Sequence, residues 1–309
     1  MRAIGIDIGG TKMSVACVDS LGTIHSQETL PTNASSGFEE SLKQLTDAMG
    51  QTLLQSRCSL KELVGIGIGC TGPVDPVRGT IHNPFTLPTW EGCNIVEALQ
   101  AIFSIPVRLE NDADAAALGE YQFGAGQSVD PMAMITFGTG IGFSLIVKGE
   151  IYRGVDGVHP EFGHISVIPG GPRCYCGIQG CFESIASGSA IERVGKSHGF
   201  TSSRQVFQEA TQGNVKAIDI LEDVKAACGT AIRTVAHAFL PERIILGGGI
   251  IDEHFELFAE PMRHQLHQSI LIPKEKIHIC KARLGQSAGV IGAAWLVMRS
   301  NSSYCPSQN

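Results

Sequence analysis

The 309-residue chain has no long hydrophobic run and no cluster of basic residues. No window approaches the roughly eighteen apolar residues of a membrane span, so no membrane partner is expected. No run of lysine and arginine reaches five residues, and the formal net charge is −7. A nucleic-acid-binding protein takes its affinity largely from a basic face, so no nucleic-acid partner is expected either.

The amino-terminal residues also lack the features of a secretion signal. The segment from Met1 to Asp7 contains neither an apolar run of about seven residues nor a small-residue cleavage site. We therefore expect a cytoplasmic protein. Hydrophobic residues make up 43% of the chain and charged residues 17%, which is typical of a folded globular protein. The length exceeds that of one ordinary core and predicts two domains.

Short apolar strands alternate with amphipathic helices along the chain. The clearest helical pattern covers 214–239, where apolar residues recur at helical spacing from Val215 to Phe239. The predicted strands are 2–8, 12–18, 23–29, 63–69, 107–111, 132–137, 143–147, 243–246 and 277–282. The predicted helices are 38–56, 94–103, one starting at Asp112, 214–239, 253–269 and 286–299. This order predicts an α/β protein with two related halves and a cleft between them.

Three glycine-rich turns each follow an apolar strand. They are Asp7 to Thr11, Gly138 to Gly142, and Gly247 to Gly249. Glycine permits positive φ and lets a phosphate approach the backbone amides, which together form an anion-binding concavity. A plain hairpin turn is the alternative for any one of them. Three such turns at strand ends predict nucleotide binding.

Two common nucleotide-binding motifs are missing. In the Walker A motif a Gly-Lys-Ser/Thr sequence opens a helix, whereas here Gly10-Thr11-Lys12 enters a strand. The segment Gly67 to Gly72 matches the dinucleotide fingerprint in spacing, but Pro73 and Pro76 prevent the helix that must follow. We interpret Gly67 to Gly72 as a tight strand exit.

Acidic residues cluster where a strand meets a helix, at Glu110, Asp112 and Asp114, with Asn111 among them. Helix capping can account for one of these carboxylates, because the helix dipole stabilises negative charge at its N-terminus. Phosphoryl transfer also needs a carboxylate that orients the attacking hydroxyl and accepts its proton. Asn111 and Asp112 can supply substrate positioning and that base. The spacing does not decide among the three acids.

Three of the ten cysteines, Cys174, Cys176 and Cys181, lie within eight residues, and the others are scattered. Without a secretion signal, such a cluster indicates a metal site rather than disulfide bonds. Together with one histidine, either His164 or His159, three cysteines provide the donors of a closed structural zinc site. A redox pair or unrelated thiols are the alternatives. A closed zinc site would order its loop and perform no chemistry.

The Glu161–His164 and Cys174–Glu183 segments, taken with the glycine turns, resemble the ROK family of sugar kinases and related repressors. The resemblance runs from Asp7 to the last helix. It implies two ribonuclease-H-like domains of the actin/hexokinase type, with an interdomain cleft, and an ATP-dependent hexose kinase. The implied domains are residues 1–112 with a C-terminal helix at about 290–309, and residues 113–289, which carry the zinc loop.

The resemblance also implies the roles of individual residues. Asp112 matches the catalytic base. Asn111, Glu161, His164 and Glu183 match ligands of the sugar hydroxyls. His164, Cys174, Cys176 and Cys181 match the zinc ligands, and His164 can hold both roles because its ring nitrogens are distinct. ATP with Mg²⁺ is expected at Asp7, Gly9, Gly10, Thr11, Lys12, Gly138, Thr139, Gly140, Gly142, Gly247, Gly248 and Gly249. A homodimer is expected.

Two segments differ from the commonest family pattern and leave the sugar open. Asp114 stands where the family usually has asparagine, and His159-Pro160 resembles the fructokinase branch. The Cys174–Cys181 segment instead resembles the glucokinase and N-acetylhexosamine branches. A site built to bind hydroxyls rejects analogues that lack them, so we expect glucose, phosphorylated to glucose 6-phosphate. Fructose, N-acetylglucosamine and N-acetylmannosamine are the alternatives.

A second class of function within the family is sugar-responsive repression. Such repressors carry a helix-turn-helix domain ahead of the first phosphate loop. Here Asp7 lies seven residues from the start. A non-catalytic sensor would lack the base or a phosphate loop, and this sequence has candidates for both. We therefore expect a kinase.

Overall fold

Two five-stranded sheets, each packed against helices, form the framework of the protein, and the computed structural model describes residues 1–301. The strands are β1 (Arg2–Ile8), β2 (Lys12–Asp19), β3 (Ile24–Pro31), β4 (Leu63–Cys70), β5 (Val74–Asp75), β6 (Thr80–Ile81), β7 (Val107–Asn111), β8 (Met132–Phe137), β9 (Ile141–Val147), β10 (Glu150–Ile151), β11 (Arg243–Gly247) and β12 (His278–Lys281). The helices are α1 (Phe38–Gln55), α2 (Ile95–Phe103), α3 (Asp112–Phe123), α4 (Glu183–Ala186), α5 (Gly188–Ser197), α6 (Ser203–Thr211), α7 (Val215–Phe239), α8 (Gly249–Gln268) and α9 (Ala288–Asn301).

The chain divides into two compact units. The first unit comprises Met1–Gln127, Arg153–His159 and the segment that begins at Gln286, and the second comprises Ser128–Tyr152 and Pro160–Gly285. Helix α3 therefore belongs to the first unit, whereas the family resemblance implied that residues from 113 onward belong to the second domain. Among the described residues, no helix combines the length and apolar composition needed to cross a membrane.

The two sheets share one strand order. The first unit has the order β3-β2-β1-β4-β7, and the second has β10-β9-β8-β11-β12. Counted within each sheet, both orders read 3-2-1-4-5. In both sheets the first three strands pair antiparallel and the last two continue parallel to the first. The prediction of an α/β protein with two related halves is confirmed.

Helix α9 packs directly against the backbone of the first sheet. A Cβ atom on Gly5 of β1 would lie 1.9 Å from the carbonyl oxygen of Val290, and one on Gly67 of β4 would lie 1.7 Å from that of Ala293. A Cβ on Gly292 would lie 1.7 Å from the carbonyl oxygen of Ala115 in α3. Only glycine permits these approaches. They fix α3, and with it the acidic junction at its start.

The core of the second unit lies between its sheet and helices α7 and α8. The predicted apolar stripe of α7 is confirmed from Leu221 to Val235, both of which are buried. Its first residue, Val215, is 69% exposed, so the stripe begins later than the sequence indicated. Helices α5 and α6 were not predicted from the sequence, and α8 begins at Gly249 rather than at residue 253.

Candidate active site

Asn111 and Asp112 lie at the junction between β7 and α3. The side-chain oxygen of Asn111 caps the helix, accepting hydrogen bonds from the backbone N–H groups of Ala113 (2.8 Å) and Asp114 (3.3 Å). Asp112 is the first residue of α3 and is partly exposed. Its carboxylate accepts a hydrogen bond of 2.8 Å from the N–H of Ala113. The positive end of the helix dipole favours the ionised form of a carboxylate placed there.

The glycine turn after β1 brings Asp7 close to Asp112. Burial, and then the negative charge of Asp112, raise the pKa of Asp7 to about 7, while Lys12 lowers it. The Asp7 carboxylate lies against α9, because a Cβ on Gly289 would be 2.6 Å from its Oδ2 atom. The first unit thus places two carboxylates together beside a glycine turn, an arrangement that a cation would stabilise.

Thr32 stabilises the same turn by two hydrogen bonds to its backbone. The Thr32 hydroxyl donates to the carbonyl oxygen of Gly9 at 2.8 Å, and its N–H donates to that of Thr11 at 3.0 Å. The N–H of Gly9 donates to the carbonyl of Lys12, which closes the turn. Gly10 lies in the same turn, with Thr86 packed beside it. The predicted phosphate turn is therefore a structured element.

The other two acids of the junction form a buried ion-pair network that was not predicted from the sequence. The guanidinium group of Arg153 pairs with both Glu110 and Asp114. The Nδ1 atom of His159 lies 2.7 Å from Oδ2 of Asp114. Burial and the charge of Asp114 raise the pKa of Glu110, and Arg153 opposes this. His159, considered above as a zinc ligand, therefore bonds to Asp114 instead.

In the second unit, the turn from Gly138 to Gly142 joins β8 and β9. Glu183 accepts a 2.7 Å hydrogen bond from the N–H of Ile141, and a Cβ on Gly140 would lie 2.5 Å from its Oε2 atom. The Ser189 hydroxyl of α5 donates to the carbonyl of Thr139 at 2.7 Å. The structure thus brings a predicted sugar ligand into contact with a predicted phosphate turn.

The third glycine segment is a strand-to-helix junction rather than a free loop. Gly247 ends β11, Gly248 has a φ of 93°, and Gly249 begins α8. A Cβ on Gly248 would lie 2.3 Å from the carbonyl oxygen of Phe137, so the backbone passes very close to the end of β8. The backbone N–H groups in the first turn of α8 favour anions, and the regular geometry of this helix is interrupted farther on, at His254.

Four side chains of the second unit offer donor atoms that could hold a metal ion, and we refer to them as the metal-binding cluster. The donor atoms of His164, Cys174, Cys176 and Cys181 all lie within 4.8 Å of one another. The Sγ atom of Cys174 is 3.4 Å from Nδ1 of His164, and those of Cys176 and Cys181 are 3.5 Å apart. Tetrahedral zinc with bonds of about 2.3 Å separates two sulfur ligands by about 3.8 Å. The donor set and its spacing therefore fit zinc.

Glycines shape the loop that carries these donors. Gly177 and Gly180 have φ angles of 94° and 74°, which favour glycine. The loop is closed by a backbone hydrogen bond of 2.9 Å from Cys174 to Ile178. Glu161, another predicted sugar ligand, is exposed and precedes the short helix that ends at His164.

Comparison with protein-family models matches residues 3–300 to the ROK family. The chain belongs to the ROK family. A glucokinase of Halalkalibacterium halodurans is 32% identical to this ROK chain, over 97% of the chain and 96% of the relative. An N-acetylmannosamine kinase of Vibrio cholerae is 33% identical, over 96% and 99%. The crystal structure of a ROK glucokinase from Streptomyces griseus, with glucose and AMPPNP, superposes with a TM-score of 0.81 at 33% identity, covering 97% of this chain and 100% of that one.

Proposed function

We propose that this ROK protein, a sugar kinase, transfers the γ-phosphoryl group of ATP to glucose and produces glucose 6-phosphate. The similarity to glucokinases over nearly the whole chain supports this reaction. We assign the base from the different environments of the three acids at the β7–α3 junction. Arg153 holds Glu110 and Asp114 in a buried network, whereas Asp112 opens helix α3 and is partly exposed.

In the proposed mechanism, Asp112 orients the attacking sugar hydroxyl and accepts its proton as the new bond to phosphorus forms. The N–H of Ala113 donates to the Asp112 carboxylate and fixes its direction, and the N-terminus of helix α3 favours negative charge there. The Asn111 oxygen is committed to the helix cap, so the proposed contact of Asn111 with the sugar uses its amide nitrogen, which lies beside Gly72.

The glycine turns are the proposed contacts of the nucleotide. The turn at Asp7–Lys12, the turn at Gly138–Gly142 and the N-terminus of α8 at Gly248 and Gly249 all present backbone to an anion. Mg²⁺ bound with ATP would neutralise charge on the phosphates. The Asp7 carboxylate, with Asp112 nearby, is the residue of the first unit best suited to hold that ion, directly or through water.

The proposed sugar ligands of the second unit are Glu161, His164 and Glu183. A zinc ion bound by Nδ1 of His164 and the three cysteines would fix the ring, so that Nε2 carries a proton and donates. A donor of this kind, combined with the carboxylates, recognises ring hydroxyls by paired hydrogen bonds. Such a site discriminates against sugars that leave its polar groups unpaired.

The test is a coupled ADP-release assay with ATP and Mg²⁺ across glucose, fructose, mannose, allose, N-acetylglucosamine and N-acetylmannosamine. We expect the highest kcat/KM for glucose. A kcat/KM more than about tenfold higher for another sugar would replace glucose and retain the kinase. N-acetylmannosamine is the second candidate, because the Vibrio cholerae relative shares 33% sequence identity with this chain, the same value as the Streptomyces coelicolor glucokinase. Light scattering of the purified protein tests the proposed homodimer.

A further inference from the structure

The hydroxyl group of Tyr175 contacts two of the proposed sugar ligands, His164 and Glu183. The hydroxyl lies 3.1 Å from Nε2 of His164, and the Glu183 carboxylate is near enough to interact with it. Its ring meets the His164 imidazole edge to face, with centroids 5.1 Å apart and an angle of 89° between the planes. Tyr175 is 59% exposed, so its position does not follow from packing in the core.

The backbone of Tyr175 is tightly anchored. It stands between Cys174 and Cys176, two donors of the metal-binding cluster, in a loop closed by the hydrogen bond from Cys174 to Ile178. Movement of the hydroxyl therefore comes from rotation of the side chain. Tyr175 is 59% exposed, which leaves room for such rotation.

The hydrogen-bond chemistry of these three groups is directional. When Nδ1 of His164 binds a metal ion, Nε2 carries the proton and donates it. The phenol oxygen accepts that bond, and the phenol proton is donated to the Glu183 carboxylate. A sugar hydroxyl can accept from Nε2 and donate to the carboxylate in the same way. The phenol thus satisfies the two polar groups that a sugar hydroxyl would satisfy.

We propose that the Tyr175 hydroxyl takes the place of a sugar hydroxyl at His164 and Glu183 and that the bound sugar displaces it. This proposal rests on the proposed function of the site. Tyr175 then sets a threshold for binding, because a sugar replaces the phenol only if it supplies a hydroxyl to both partners. Tyr175 thereby competes with the sugar for His164 and Glu183 and lowers the affinity of the site for the sugar.

The test is Tyr175→Phe, which removes the hydroxyl and keeps the ring. We expect the Kd for glucose in calorimetric titration to fall about two- to tenfold, the effect of one or two competing hydrogen bonds. The KM for glucose should fall in parallel, with kcat and zinc content unchanged. Tyr152→Phe is the matched control, since Tyr152 is another partly exposed tyrosine of the second unit, and it should change none of these quantities.

An unchanged or increased Kd in Tyr175→Phe would overturn the proposal, since an increase would make the phenol a ligand of the sugar. Absence of glucose binding to both proteins would overturn it as well. The proposed reaction is tested separately by the turnover of the wild-type enzyme. A wild-type protein that binds glucose without phosphorylating it would contradict the proposed function, while the ratio of the two Kd values would still decide the role of Tyr175.

Discussion

The Nδ1 atom of His159 lies 2.7 Å from Oδ2 of Asp114, in the first turn of helix α3. The same carboxylate pairs with Arg153, which also holds Glu110. Asp114 is almost completely buried. The family resemblance leads us to expect asparagine at this position, whereas this chain has a carboxylate with charged partners. This network fixes the turn that presents Asp112 and separates a structural acid from the proposed catalytic one.

We therefore expect Asp112→Asn to reduce kcat and Asp114→Asn to reduce stability. Loss of a general base typically costs about 10²–10⁴ in rate, so Asp112→Asn should lose that much kcat and keep its KM for the sugar. Asp114→Asn should keep most of its kcat and lose stability, because Arg153 and His159 lose a buried partner. Steady-state kinetics and urea unfolding measure the two effects. A larger kcat loss in Asp114→Asn than in Asp112→Asn would move the base to Asp114.

Arg153→Met should destabilise the first unit at neutral pH by about 3–5 kcal/mol, the usual cost of removing one partner from a buried ion pair. The pKa of Glu110 is already raised by burial and by Asp114, and loss of Arg153 raises it further. Because the pKa of Glu110 is raised in the folded protein, its contribution to stability is greatest at low pH and is lost as the pH rises through that pKa. The deficit of the variant should therefore shrink between pH 7 and pH 5. Arg108→Met, at an exposed position of β7, should show no such deficit; a similar loss in both variants would contradict the network.

Asp7 should make the stability of the ligand-free protein depend on pH. Its pKa is raised from 3.8 to about 7 by burial and by the charge of Asp112. The contribution of Asp7 to the free energy of unfolding is fully present below pH 3.8 and is lost as the pH rises to about 7. The reason is that the carboxyl group releases its proton at a lower pH in the unfolded chain than in the folded protein. At about 1.4 kcal/mol per pKa unit the loss amounts to a few kcal/mol. Asp7→Asn removes it, so unfolding curves at pH 5 and pH 8 should differ less in the variant. Parallel pH profiles would contradict the raised pKa.

The metal-binding cluster predicts about one zinc ion per chain. Elemental analysis of protein purified without a histidine tag should find it, and Cys176→Ser should remove most of it. Cys93→Ser is the matched control, because Cys93 lies in the first unit outside the cluster. The KM for the sugar should rise in Cys176→Ser, since His164 loses its anchor. A folded, active preparation without zinc would contradict this assignment.

Local patterns in the sequence were sufficient for much of the fold. The β1–β2 hairpin, helix α7 and the cysteine cluster were predicted because each depends on residues close together in the chain. Helices α5 and α6 were missed because they bury few residues, among them Ile191 and Phe207, and so show only short apolar patterns.

Contacts between distant residues could not be predicted from the sequence. Arg153 lies 39 residues from Asp114, and no local motif indicates that they pair. The boundary between the units was misplaced for a similar reason: α3 joins the first unit through close contact of Ala115 with Gly292. The predicted roles of Asn111, Glu161, His164 and Glu183 come from the family resemblance and stay predictions.

The position of α9 in the chain also determines the order in which the protein is completed during synthesis. Helix α9 covers Gly5 and Gly67 of the first sheet, yet it follows the whole second unit along the chain. The nascent first unit therefore emerges with this glycine-lined face of its sheet bare, and it stays bare while residues 128–285 are translated. The second unit can fold on the ribosome before the first is closed. A ribosome stalled before residue 286 would present that uncovered face to chaperones and proteases.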